Sequence, residues 1–419
     1  MEEDIEYKEA LKKLKNYGQE QLLVRYEYLD DAKKEKIIHQ IKHIDFDQIM
    51  DLYKNKDKKV DEKEANITNI EYTDKAKLSD EEYKKYYDLG KKVIEAGKYA
   101  VVTMAGGQGT RLGYVAPKGT FKIGGGIDKS LFEALSDTIK EARTEYNTSI
   151  PWYIMTSREN NNATEKFFEK NDFFGLPYED VKFFKQGELP MIDTNGKLML
   201  DETGIIKLAA DGHGGVFEAL HKNGYLEDMK KRGIEWVFIS GVDNVLAGLV
   251  DPIAVGLSIE NGTLATGKSV VKRGPEEKVG VFCKKNNRPY VIEYTEITDE
   301  MANAKNEDGE LLYGESHILT NLFNIKALEN ISKNKLPYHS AFKKAKYMNS
   351  NGEVIKPETP NAYKFEAFIF DAFESLDDIS ILRVKRENEF APLKNAEGED
   401  SPDTARQLYI NYINNKKKK

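Results

Sequence analysis

A short apolar run, Tyr99 to Met104, breaks into the glycines Gly106, Gly107, Gly109 and Gly113 within eight residues. Apolar runs of this length bounded by breakers read as buried strands, and the glycines stop the strand from continuing. A loop with so few side chains lets its backbone N–H groups approach a polyanion, and glycine accepts the positive φ angles that turn successive donors toward one point. Arg111 and Lys118 add fixed positive charge on either side of the bend, where a diphosphate or triphosphate needs neutralising. A nucleotide is therefore the expected ligand. The spacing is G-x-G-x-x-x-G rather than the dinucleotide G-x-G-x-x-G, and no Gly-Lys-Ser/Thr follows directly.

The rest of the chain has to supply a core around that strand. With 419 residues, 40% of them hydrophobic, it can bury one large domain with smaller ones appended. A formal net charge of -8 argues against a nucleic-acid partner, because phosphate-backbone affinity rests on clustered positive charge. The run from Lys416 to Lys419 reads as a solvated tail. A single cysteine, Cys283, excludes an internal disulfide, suits a reducing compartment and lies in an apolar run that reads as core. No apolar window approaches a membrane span, and the opening MEEDIEYKEA lacks the regions of a signal peptide. The expectation is a cytoplasmic protein without a membrane partner, in which the sequons at Asn66, Asn147, Asn162 and Asn330 are chance matches. Oligomeric state is not legible.

Three regions follow from the patterning. Residues 1–97 read as a helical N-terminal segment, in which Ser79 to Glu82 form a capping box, Gly97 ends the helix they start, and the charged stretch Lys54 to Glu64 is a linker or an exposed loop. Residues 98–335 alternate β-type runs (Trp152 to Thr156, Val181 to Phe184, Trp236 to Ser240, Ser269 to Val271, Val279 to Cys283) with helical stretches, the signature of an α/β domain with a largely parallel sheet. Residues 336–419 shift to shorter β-type runs with turns, a small β-rich C-terminal domain. Ligands of open α/β sheets lie at the carboxyl ends of the strands, so the polar clusters that follow these runs are the candidates.

Gln186, in Lys185-Gln-Gly-Glu-Leu-Pro190, presents a donor and an acceptor that can read the edge of uracil, or faces water as an ordinary loop residue. Gly212 and His213, in Asp211-Gly-His-Gly-Gly215, would let the chain lie flat against a base or sugar, with the imidazole offering a ring N–H; a loop histidine is also commonly only solvated. Asp243, in Gly241-Val-Asp-Asn244, leaves a buried strand end as a carboxylate that can hold a hard cation such as Mg²⁺ when phosphates supply the other ligands, or can simply form a turn. Glu293, at the end of Pro289 to Tyr294, suits sugar hydroxyls or an edge-strand salt bridge. Asn321 offers an amide between apolar neighbours, and Lys394 sits in a loop before a final helix. Gly262 to Ser269 matches G-x-x-x-x-G-K-[ST] letter for letter, but a helix precedes it and a strand follows, the reverse of what a phosphate loop needs.

With these pieces assembled, the chain resembles the UDP-N-acetylhexosamine pyrophosphorylases, within the UTP:sugar-1-phosphate uridylyltransferases, from about residue 15 to 410. The motifs that carry the resemblance are AGGQGTRLG (105–113), PKG (117–119), QGELP (186–190), the DGHGG region, GVDN (241–244), VIEYTEI (291–297), LPYHSAFKK (336–344), KFEAFIFDAF, FAPLKNA and SPDTAR. It implies a Rossmann-like nucleotide-diphosphosugar transferase core, with UTP and a sugar 1-phosphate as substrates and Mg²⁺ as cofactor. It places Gly106, Gly107 and Gln186 on the uridine, Arg111, Lys118 and Lys394 on the phosphates, Asp243 on the metal, and Gly212, His213, Glu293 and Asn321 on the sugar side.

Chemistry of this kind needs an in-line phosphate and neutralised charge, and no general base, because a phosphate monoester is already anionic near neutral pH. At position 213 the acetamido-sugar enzymes usually carry asparagine, whereas the glucose branch carries histidine, as here, and HILTNLF around residue 321 sits between the two patterns. The C-terminal matches favour an N-acetylhexosamine over glucose. A nucleotide-sugar-binding protein without turnover is the alternative of a different class.

Overall fold

A computed structural model of the chain describes residues 2–57 and 66–416. Most of the charged stretch beginning at Lys54, and the lysine tail beyond Lys416, lie outside the described residues. The chain forms two compact units built from interleaved segments. One comprises Met1–Glu62, Gly187–Gly215 and Leu336–Phe368, and the other Lys63–Gln186, Val216–Lys335 and Ile369–Lys419.

The larger unit is organised on an 11-stranded mixed sheet. Its main path uses β1 (Thr73–Asp74), β2 (Tyr99–Met104), β3 (Trp152–Thr156), β4 (Val181–Lys185), β5 (Trp236–Gly241), β6 (Ala265–Val271), β7 (Glu315–Asn324) and β8 (Ser380–Arg383). In space the order is β1-β8-β6-β7-β5-β2-β3-β4. β7 runs antiparallel to both neighbours, and the other adjacent strands on this path are parallel. β2 and β5 are buried at every position, as strands covered on both faces must be, which is why they read as unbroken apolar runs rather than alternating ones. Their register pairs Met104 with Gly241, so the chain leaves both strands at the same edge.

Helices α1 (Asp80–Glu95), α2 (Leu131–Glu145), α3 (Pro252–Asn261) and α4 (Pro402–Lys416) belong to this unit. The Ser79–Glu82 capping box forms as expected, and Gly97, at φ +69°, follows the helix it starts. α1 and α3 cross at van der Waals distance: a Cβ on Gly90 would lie 1.9 Å from the Pro252 carbonyl oxygen, and one on Gly256 1.9 Å from that of Tyr86. Phe132, Trp152 and Phe168 form an aromatic cluster under the sheet, with Phe168 4.9 Å from Phe132 and 5.4 Å from Trp152 between ring centroids. The Trp152 indole N–H donates to Thr103 Oγ1 at 2.8 Å, which satisfies the one polar atom this side chain buries.

The smaller unit packs helices Glu2–Tyr17, Asp31–His43 and Phe46–Asn55 around Leu14, Ile37, Ile41, Phe46, Ile192, Leu198 and Phe365. Asp30 and Asp45 cap the second and third helices. Two buried glutamines tie these helices to the 187–215 segment in both directions. Gln40 Nε2 donates to Ile206 O at 2.9 Å while Ile206 N donates back to Oε1 at 3.0 Å. Gln19 makes the same kind of link to Gly196 and Leu198. Ala362–Glu366 pairs with both His339–Lys343 and Ile192–Asp193 in a three-stranded sheet.

This interleaving differs from the consecutive regions 1–97, 98–335 and 336–419 expected from patterning. Residues 73–97 join the larger unit because β1 adds to the sheet edge and α1 packs on α3, while 336–368 joins the N-terminal helices through Phe365. No helix of the described residues is long and apolar enough to cross a membrane.

Candidate active site

The bend after β2 is held by its own backbone. Ala105 N donates to Met155 O at 2.7 Å and prolongs the pairing with β3, after which Gly109 N donates to Ala116 O at 3.0 Å and Lys118 N to Gly107 O at 3.1 Å. The PKG segment thus folds back onto the glycines. Asn160 fastens the bend from below, its Nδ2 donating to Ala105 O at 2.9 Å. Gly119 lets the segment press on α2, since a Cβ there would fall 2.2 Å from the Phe132 ring. A Cβ on Gly107 would meet nothing within 4 Å, so the bend presents bare backbone to open space at that residue.

Gln186 follows β4, and its backbone N donates to Thr156 O at 2.8 Å. Its side chain lies across the bend: a Cβ on Gly106 would sit 2.6 Å from Gln186 Oε1. A glycine at 106 is what allows this amide to be laid against the backbone.

Lys118 and Lys394 approach the next strand end. Val242 N donates to Met104 O at 3.1 Å, which continues the β2–β5 register and puts Asp243 beside the bend. Lys118 Nζ lies 3.5 Å from Asp243 Oδ2. From the C-terminal side, Leu393 N donates to Asp243 O at 2.9 Å, bringing the adjacent Lys394 within electrostatic reach of the same carboxylate. Asn244 locks this loop in place: its Nδ2 donates to Glu389 O at 2.7 Å and its Oδ1 accepts from Ala391 N at 2.8 Å. Burial acting alone would raise the Asp243 carboxyl, but the charges of Lys118 and Lys394 hold it below the usual carboxylate range.

Among the described residues no three His, Cys, Asp or Glu side chains cluster as a metal cage. Asp243 nevertheless fits a phosphate-borne Mg²⁺: its side chain is 20% exposed beside the bend, and its ion pair with Lys118 is long at 3.5 Å. Mg²⁺ of this kind takes one or two carboxylates and completes its shell with water and substrate oxygens.

The remaining predicted residues are dispersed. Arg111 is exposed on the short turn Thr110–Leu112, which Gly113 closes at φ +68°. Glu293 is half-buried beyond the hairpin Val281–Lys285/Arg288–Ile292, where its carbonyl accepts from Glu296 N and Ile297 N at 2.9 and 3.1 Å. Asn321 is wholly buried in β7, with Oδ1 3.2 Å from His317 Nε2 and no partner for Nδ2 among the described residues. Gly212 and His213 belong to the smaller unit. There Gly212 adopts φ +90° with Ala367 O where a Cβ would go, 2.3 Å away, and the His213 ring lies 5.4 Å from that of Phe368.

One feature escaped sequence reasoning. Leu319 takes φ +56° where the β6–β7 register shifts, and its Cδ2 lies 3.0 Å from where a Cβ of Gly241 would stand, within the strand end that carries Asp243. A bulky residue at positive φ is strained and tends to mark functional surroundings, but no composition signal announces it. The lysine of the Walker-like run, Lys268, is only 1% exposed inside β6, and Gly262 is the left-handed residue that ends α3, so the run is not a phosphate loop.

The family model described as UTP–glucose-1-phosphate uridylyltransferase matches residues 45–400. The chain is 41% identical over 342 residues to the UDP-N-acetylglucosamine pyrophosphorylase of Saccharomyces cerevisiae, covering 78% of this chain and 71% of that protein. It is 35% identical over 423 residues to UDP-N-acetylglucosamine diphosphorylase 2 of Arabidopsis thaliana, covering 96% and 82%. Among solved structures, the uridine diphosphate N-acetylglucosamine pyrophosphorylase of Trypanosoma brucei in complex with inhibitor superimposes with a TM-score of 0.83 at 29% identity, covering 98% of this chain and 85% of that one. A glycine bend stapled to a lysine, a carboxylate at the neighbouring strand end and a second lysine delivered from the C-terminal loop thus occur in a chain that belongs to the UTP–glucose-1-phosphate uridylyltransferase family of nucleotidyltransferases.

Proposed function

We propose that this protein transfers the uridylyl group of UTP to N-acetylglucosamine 1-phosphate, giving UDP-N-acetylglucosamine and pyrophosphate. The observation that carries the reading is the convergence of Lys118, Asp243 and Lys394 at the strand end beside the bare glycine bend. The parallel run β5-β2-β3-β4, with its loops at one edge, supports a Rossmann-like description of the core.

In this reading the triphosphate lies along Gly106 and Gly107, and Gln186 pairs with the uracil edge. A sugar-phosphate oxygen attacks the α-phosphorus, the new P–O bond forms as the bond to the β-phosphate breaks, and pyrophosphate leaves. Lys118, Lys394 and Arg111 balance the charge on the phosphates, and no side chain has to move a proton. Mg²⁺ held by Asp243 would add charge stabilisation on the phosphate oxygens. Glu293, Asn321, Gly212 and His213 are assigned to the sugar by resemblance. His213 is the specific observation that favours a second reading, glucose 1-phosphate as acceptor.

Steady-state rates of pyrophosphate release with N-acetylglucosamine, N-acetylgalactosamine and glucose 1-phosphates test both readings. The highest kcat/KM is expected with N-acetylglucosamine 1-phosphate. A preference for glucose 1-phosphate would establish the second reading, and no release with any of them would leave a nucleotide-sugar-binding protein.

A further inference from the structure

We infer that Lys268 is a positioning residue for the phosphate site, acting through Glu389 on the loop that delivers Lys394. This rests on the reading of the glycine bend as the seat of a uridine triphosphate.

Lys268 points from β6 into the interior and carries a full complement of acceptors. Its Nζ lies 2.6 Å from Glu389 Oε2, 2.8 Å from Asp251 Oδ2 and 3.2 Å from Gly248 O, and it stands 5.3 Å from the centroid of the Phe238 ring. Lys75 completes the group, 2.9 Å from Asp251 Oδ2 and 3.6 Å from Glu389 Oε1. Two cations and two carboxylates thus balance one another, with Lys268 and Asp251 buried and Lys75 and Glu389 reaching toward the surface, so the buried Lys268 charge depends on its carboxylate partners.

The group has four anchors on separate elements: the chain after β1, the N-cap of α3, the middle of β6, and the turn Arg386–Glu389. The last of these matters for chemistry. Glu389 is the residue whose carbonyl accepts from Asn244, and the chain then runs through Ala391, held by Asn244 Oδ1, and Leu393, held by Asp243 O, to Lys394. A cation at 268 therefore fixes the start of the segment whose far end carries Lys394.

Burying a lysine for shape alone is a poor choice, since an apolar residue of like volume serves packing equally well. Fixing one loop against a strand end is what this ion group does that an apolar core does not. The sequence resemblance of this stretch to a phosphate loop is thus unrelated to its position in the fold: Lys268 touches no phosphate, yet it sets the place of a lysine that does.

The test compares UTP and UMP, which share the uridine and differ in the terminal phosphates. Dissociation constants are measured by calorimetry for the wild type, Lys268→Met and Lys268→Arg, at a temperature where circular dichroism shows each protein folded. Lys268→Met should weaken UTP about tenfold or more while leaving UMP within about twofold, and the cation of Lys268→Arg should recover most of the loss. Equal weakening of both nucleotides, or unchanged UTP affinity, would overturn the inference. Should the methionine variant not fold, Glu389→Gln keeps the shape of the turn and is expected to split UTP from UMP in the same direction; an equal effect on both would again contradict it. A wild type that binds no UTP would instead defeat the reading of the glycine bend.

Discussion

Lys118 and Asp243 are 125 residues apart in sequence, yet Lys118 Nζ stands 3.5 Å from Asp243 Oδ2 across the ends of two adjacent parallel strands. Neither is placed by its own turn alone. The lysine is held by the hydrogen bond from its N–H to Gly107, and the aspartate by the β2–β5 register and by the bond from Leu393. Replacing Lys118 by alanine should lower kcat by roughly 10²–10³, the scale of losing one charge-stabilising donor, with little change in melting temperature. Steady-state kinetics beside thermal melts check this. An unchanged kcat would remove Lys118 from the phosphate site.

Gly106→Ala places a methyl group 2.6 Å from Gln186 Oε1, and the end of a flexible side chain gives way more easily than backbone. The amide is then displaced from the bend. KM for UTP should rise roughly tenfold, and the preference for UTP over CTP should shrink, because the group that reads the pyrimidine edge has moved. Gln186→Ala should reproduce the loss of base discrimination. Competition between the two nucleotides is the measurement, and intact discrimination in both variants would place the uracil elsewhere.

The sugar preference bears on His213. Replacing it by asparagine should raise the ratio of kcat/KM for N-acetylglucosamine 1-phosphate over glucose 1-phosphate by a few fold, about the value of one hydrogen bond. A ratio that does not move would show that position 213 does not select the sugar.

The Asp243 carboxyl, which burial alone would raise, is held low by Lys118 and Lys394. A carboxyl with a lowered folded pKa contributes stability above its unfolded value of about 3.9, and that contribution is lost as pH falls through the folded value. Asp243→Asn should therefore lose less stability than the wild type on acidification from about pH 5 to pH 2. Thermal melts across that window decide it; parallel curves would mean that the carboxylate is not paired in solution.

Cys283 is buried in the strand Val281–Lys285, where burial pushes its thiol up to about 12. At pH 8 it is the unreactive thiol form. A disulfide reagent should label none of the folded protein and one thiol per chain once it is denatured. Rapid labelling of the folded protein would contradict the core placement.

How far these features could be read in advance depends on the range of the interaction behind them. Tyr99–Met104 and Trp236–Gly241 were legible because strands buried on both faces are apolar throughout, and the bend after the first was legible from its glycines. Lys268 was separable from a true phosphate loop because a helix stands before it and a strand holds it. The approach of Lys394 to the Asp243 strand end was not legible from spacing, since it depends on the bond between Leu393 and Asp243, and only resemblance pointed to it. The joining of 187–215 and 336–368 to the N-terminal helices was equally hidden, because short strands such as Ile192–Asp193 carry almost no periodicity. Leu319 was hidden for another reason: its positive φ is imposed by a register shift between strands, and a leucine gives no sign of it.

The path of the α-phosphate tests the central claim most directly. UTP labelled at the α-phosphorus, incubated with Mg²⁺ and N-acetylglucosamine 1-phosphate, should pass its label into UDP-N-acetylglucosamine, while label at the γ-phosphorus should appear in pyrophosphate, and Lys118→Ala should slow both together. Label from the γ-phosphorus on the sugar, or no transfer of the α-label at all, would contradict the account.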